Sequence, residues 1–62
     1  MNRKQIIELW RIGYSKKYIC ELHYNSIKKN LEYRSTKAKI IRNIAYNDVE
    51  QILLEEYKKN KG

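Results

Sequence analysis

Six cations fall between positions 28 and 42: Lys28, Lys29, Arg34, Lys37, Lys39 and Arg42, with Glu32 as the one acid among them. Ammonium and guanidinium groups only donate hydrogen bonds, and phosphate oxygens are their natural acceptors. Asn25, Ser26 and Asn30 stand beside the run. An Asn amide can pair bidentately with adenine, and a Lys can reach the guanine acceptors. These residues form a candidate nucleic-acid-binding set. Asn25, Ser26, Lys28, Lys29 and Asn30 would approach base edges, and Arg34, Lys37, Lys39 and Arg42 would hold phosphates and fix register. About five phosphate contacts would give a log–log salt slope of roughly −4 to −5. The same residues also suit a solvated helix face, and Lys, Asn, Ile and Tyr are the residues that A/T-rich codons favour.

Other chemistries have little to stand on. His23 and Cys20 are each the sole residue of their type, whereas a structural zinc site takes four ligands. Neither has a nucleophile–base partner in the sequence, so a non-enzymatic protein without metal or cofactor is expected. His23 reads as a turn residue and Cys20 as a packed thiol. A single cysteine forms no internal disulfide, which suits a reducing cytoplasm. The opening "MNRKQIIELWRIG" lacks the long apolar run of a signal peptide, and no stretch approaches the ~20 apolar residues of a membrane span. Neither a membrane partner nor a small-molecule substrate is expected. Tyr24 and Tyr33 flank the basic segment and are the tyrosines best placed to stack on bases.

The basic charge belongs to the body of the chain. Residues 1–46 hold eleven Lys/Arg and three Glu, net +8, and residues 47–62 hold three Lys and four acids, net −1, which together give +7. Such a field favours a polyanion. With 62 residues, one small domain is the ceiling, and it is marginally stable alone.

The elements that would position these residues are all helical, because the apolar spacing is 3–4 and strand alternation is absent. The spacing predicts a compact all-α domain of three to four helices, with helices near 3–12, 16–24, 26–34, 37–45 and 48–59. Ile6, Ile7 and Trp10, with Leu9 as a further candidate, would face the core from the first. Gly13 stands where a left-handed C-terminal glycine belongs, and Ser15 caps the second helix, which carries Tyr18, Ile19 and Leu22 inward. "HYNS" (23–26) is a candidate break, although 16–33 also fits one continuous helix. Ile27 and Leu31 would share the next inward face. Ser35 or Thr36 would cap a helix bearing Ile40, Ile41 and Ile44, which itself could merge with its predecessor. "NDVE" (47–50) resembles a capping box that opens the last helix. Val49, Ile52, Leu53 and Tyr57 form its stripe, and "KKNKG" frays into solvent.

The stretch "GYSKKYIC" (13–20) resembles the centre of helix-turn-helix DNA-binding domains of the resolvase, transposase and LuxR type. In that pattern, G-x-S-x-x-x-I-A, Gly13, Ser15, Ile19 and Cys20 fill the four places, Cys20 standing in for alanine. "NSIKKNL" (25–31) is similar to the recognition helices of the group. The likeness covers about residues 5–34; the joint departs from it, with His23 four residues after Ile19 and no glycine turn. The resemblance implies a DNA-reading second helix of the pair and duplex DNA as partner.

The expected function is a small cytoplasmic DNA-binding protein: a transcriptional regulator or recombination accessory (directionality) factor of a phage or mobile element. RNA is a second possible nucleic-acid target. The stripe Val49, Ile52, Leu53 and Tyr57 is the candidate contact for a homodimer or for a recombinase or polymerase subunit, and Glu55 and Glu56 would face bases of another subunit. The alternative is a helical adaptor that binds such an enzyme without nucleic acid.

Overall fold

A computed structural model describes the backbone of residues 1–61 and the side chains of residues 1–59. Three helices follow one another: α1 (Arg3–Ile12), α2 (Lys16–Lys28) and α3 (Ala38–Lys61), with a 3-10 turn over Leu31–Tyr33 between α2 and α3. The fold is all-α, and the described residues contain no strand.

Local signals fix the first two helices. Asn2 Oδ1 accepts from the Gln5 N–H at 2.9 Å, and Gln5 Oε1 accepts from the Asn2 N–H at 3.0 Å, a reciprocal capping box. Gly13, with φ +119°, ends α1. Its N–H donates to the carbonyls of Leu9 and Trp10, and the Tyr14 N–H also donates to Leu9. That is the glycine-terminated helix end in which a left-handed residue lets the chain satisfy its last carbonyls. Ser15 Oγ accepts from the Tyr18 N–H at 3.2 Å and starts α2.

Two predicted breaks do not form. Residues 16–28 are one helix, so "HYNS" is helix interior, and no helix occupies 26–34. Ile19, His23, Tyr24 and Ile27 share one inward face, and a turn at 23–26 would take the last two out of it. Likewise residues 38–61 are one helix. Ile41, Ala45, Val49 and Ile52 run at spacings of four, four and three across the expected break at Asn47. The seam therefore continues, and Glu50, the expected capping-box partner of Asn47, pairs with Lys16 instead. Neither Ser35 nor Thr36 caps α3; the Lys37 carbonyl accepts from the Ile40 and Ile41 N–H groups at its start. Helix persists over the stretch expected to fray, and Gly62 lies outside the described residues.

The core has two parts. Ile6, Ile19 and Val49 are fully buried, with Met1, Leu9, Cys20, Ile52 and Leu53 packed against them. Tyr24, Ile41 and Ala45 form the second cluster, flanked by Ile27 and Tyr33. α2 packs most extensively on α3 and runs back along it: Lys16 pairs with Glu50, and Glu21 with Arg42. Several residues expected inside are outside. Trp10 is 47% exposed because the inward face of α1 centres on Ile6 and Leu9, which leaves Trp10 on its rim. Tyr18, Ile40 and Tyr57 are exposed too. Leu31 was expected to pair with Ile27 across one helical turn; α2 stops at Lys28, and Leu31 is 80% exposed.

Candidate nucleic-acid interface

The predicted cations lie where α2 ends and α3 begins. Lys28 is the last residue of α2, Lys29, Asn30 and Arg34 lie in the connection, Lys37 precedes α3, and Lys39 and Arg42 lie on its first turns. All are exposed, as is Asn25. Lys28, Lys29, Asn30 and Arg34 line one open depression of about 340 Å³, floored in part by Tyr24 and Tyr33. Lys37, Lys39, Asn25 and Ser26 do not line it.

Two of the five expected base-edge residues, Ser26 and Asn30, already accept hydrogen bonds within the chain. Because α2 is unbroken, Asn25, Ser26 and Lys28 occupy a helix C-terminus, not the N-terminus of a separate recognition helix. Ser26 is half-buried, and its hydroxyl accepts from the Met1 ammonium at 2.6 Å. Asn30 Oδ1 caps the 3-10 turn by accepting from the Glu32 N–H at 3.1 Å. Tyr24 is 6% exposed. Its ring lies beneath the Arg42 guanidinium at 4.3 Å and within 5.9 Å of Lys28 Nζ, so it steadies cations and cannot stack on a base. Tyr33 is half-buried against the Tyr24 cluster.

A ladder of ion pairs sorts the charges, and this the sequence reading missed. Each acid of α3 reaches back to α1 or α2: Asp48 to His23 at 3.1 Å, Glu50 to Lys16, Glu55 to Arg3, and Glu56 to Arg11 at 2.7 Å. Glu55 and Glu56 thus face bases of their own chain, not of another subunit. Glu21 takes Arg42 at 3.0 Å, which raises the Arg42 pKa further. Lys28, Lys29, Arg34, Lys37 and Lys39 make no ion pair with any described residue. Residues 28–39 hold these five cations and Glu32, so their net charge is five minus one, +4. The only trace of this in the sequence was the clustering of acids at 48–56.

The other candidate groups are occupied or interior. His23 is not a turn residue: it is 6% exposed in mid-α2, with Nε2 on Asp48 and Nδ1 buried without a partner. Cys20 is half-buried against the first core cluster, and burial pushes its thiol pKa up. Among the described residues no group of three or more His, Cys, Asp or Glu side chains could hold a metal ion. No described helix is long and apolar enough to cross a membrane. The proposed partner stripe is mostly core: Val49 is fully buried and Ile52 and Leu53 pack beside it, leaving Tyr57 at the surface. The continuous seam of α3 uses these residues inside the chain.

No protein-family model, curated protein or solved structure is found to match the chain.

Proposed function

We propose that the protein binds duplex DNA through its basic end, gripping phosphates more than reading bases, and acts without catalysis as a small regulator or recombination accessory factor. The observation that carries this reading is the charge sorting. Three acids of α3, Glu50, Glu55 and Glu56, neutralise Lys16, Arg3 and Arg11 packed against them, while five cations in residues 28–39 stay uncompensated beside one acid. Unpaired cations held on a small rigid body attract a phosphate backbone and release its condensed counterions. The start of α3 adds the positive end of a long helix to the same field. Support for base readout is weaker, since the Ser26 hydroxyl and the Asn30 amide oxygen already accept hydrogen bonds from their own chain.

Fluorescence-anisotropy titration of a labelled duplex at three salt concentrations tests the reading. Five phosphate contacts predict a log–log slope of about −4.5, and replacing Lys28, Lys29 and Arg34 together by alanine reduces it to about −1.8. Replacing Lys58 and Lys59, near the far end of α3, leaves it unchanged. No binding at low salt, or equal slopes for both variants, refutes the assignment.

A further inference from the structure

We propose that Leu31 is an apolar wedge that enters between two base pairs of the bound duplex and kinks it. This rests on the reading of the basic end as a DNA-binding surface and names what that surface does to its partner.

Leu31 is the most exposed of the described large apolar side chains, at 80%. A single exposed leucine is ordinary; the setting of this one is not. It opens a 3-10 turn that is tied down along its length. The Asn30 N–H donates to Ile27, Tyr33 to Asn30, Arg34 to Leu31 and Thr36 to Tyr33, all between 2.9 and 3.1 Å. The Asn30 side chain closes the turn from its own start. Beneath it, Tyr33 packs on Tyr24, Ile41 and Ala45. The leucine is therefore held on a braced platform, and entering a base stack does not first require the turn to be ordered.

Cations share its surface, as a wedge needs. Leu31 lines the same depression as Lys28, Lys29 and Arg34. In a 3-10 turn, side chains three apart eclipse, so Arg34 projects on the side of Leu31. Glu32, the one nearby acid, is turned about 120° away. Phosphates beside the groove can thus be held by cations while the apolar tip next to them meets the base edges. Proteins that insert an apolar side chain at a base step unstack it and bend the duplex by about 20–90°. Pyrimidine–purine steps deform most easily, so the wedge would favour TA and CA sites without any base-specific hydrogen bond.

The test uses the full chain and a duplex labelled at both ends, with energy transfer reporting the bend and anisotropy reporting affinity. Wild type raises the end-to-end transfer. Leu31→Ala abolishes that rise, weakens binding to intact duplex by about tenfold, and binds a duplex pre-kinked by a two-base bulge as wild type does. Its salt slope is unchanged, and Leu31→Phe keeps the bend. Wild type binding without bending, or Leu31→Ala bending as wild type does, overturns the wedge alone. If replacing Lys28, Lys29 and Arg34 leaves affinity for every duplex untouched, the DNA reading falls and the wedge with it. Phosphatidylserine vesicles serve as a second probe: binding to vesicles and to no duplex overturns both.

Discussion

Alanine at Asp48 should destabilise the protein far more than its half-exposed surface position suggests. His23 is 6% exposed, and its Nε2 lies 3.1 Å from Asp48 Oδ2. With the hydrogen on Nε2 the ring donates to Asp48, and Nδ1 is left as a buried acceptor without a partner. Asp48→Ala removes the one hydrogen bond and strands the second ring nitrogen. A buried polar group that loses its partner costs about 1–3 kcal/mol. A domain of this size holds about 3–5 kcal/mol in total, so the change removes a large share. A loss of 2 kcal/mol corresponds to a fall in Tm of about 8–16 °C.

His23→Leu should behave oppositely. It deletes both ring nitrogens at similar volume and frees Asp48, which water can solvate. The lost hydrogen bond is worth about 1 kcal/mol, and relief of the orphaned Nδ1 returns about 1–3. The variant should melt at or above the wild-type temperature, and adding Asp48→Ala to it should change little. Thermal melts by circular dichroism of the two single variants and the double variant suffice. If His23→Leu falls as far as Asp48→Ala, the pair is a net source of stability and the account of the unsatisfied nitrogen is wrong.

Gly13→Ala should cost about 1–2 kcal/mol, read as a lower urea midpoint. A Cβ there meets nothing within 4 Å, so the whole cost is the backbone at φ +119°. Glu50 is held below the ordinary carboxylate pKa by its hydrogen bond to Lys16. Its contribution to stability is present above that ordinary value and is lost as pH falls through its lowered folded value; Tm measured down an acid series should therefore drop less steeply in Glu50→Gln. Replacing Lys37 and Lys39 together by glutamate should stabilise the fold by about 0.3–1 kcal/mol per position while weakening duplex binding, as melting and anisotropy on one preparation will show.

Ends of helices were legible where a residue type has one physical use. Gly13 and Ser15 announced themselves because few residues tolerate a positive φ or offer a short acceptor at a helix start. Asn25, Ser26 and Asn47 misled for a related reason. They are good caps, but a good cap residue in a helix interior looks the same in the sequence. What decided between the two was tertiary: the seam through Ile19, His23, Tyr24 and Ile27, and its counterpart through Ile41, Ala45, Val49 and Ile52. The Asn2–Gln5 capping box could have been found from its spacing. The ion-pair ladder could not, since its partners stand 21 to 52 residues apart. Leu31 follows from the end of α2: once the helix stops at Lys28, the one-turn relation to Ile27 is gone and the side chain has no interior to reach.

The cations at the start of α3 argue for a function because stability alone would not place them there. A helix N-terminus carries partial positive charge, and carboxylates in its first turn are favourable while cations are not. The first turn of α3 has no acid; it holds Lys39 and follows Lys37. Yet the chain has acids to spend, and it uses four of them on the same helix between positions 48 and 56, each closing on a base of α1 or α2. Charge is therefore compensated along the seams where helices pack, while residues 28–39 keep five cations beside one acid. Genomic drift toward lysine codons explains a surplus of lysine; it does not explain why residues 28–39 hold one acid against five cations. Sequences that break a local rule tend to do so where a site needs it. The glutamate pair at positions 37 and 39 separates the two accounts. A gain in stability with no loss of binding would return these lysines to drift.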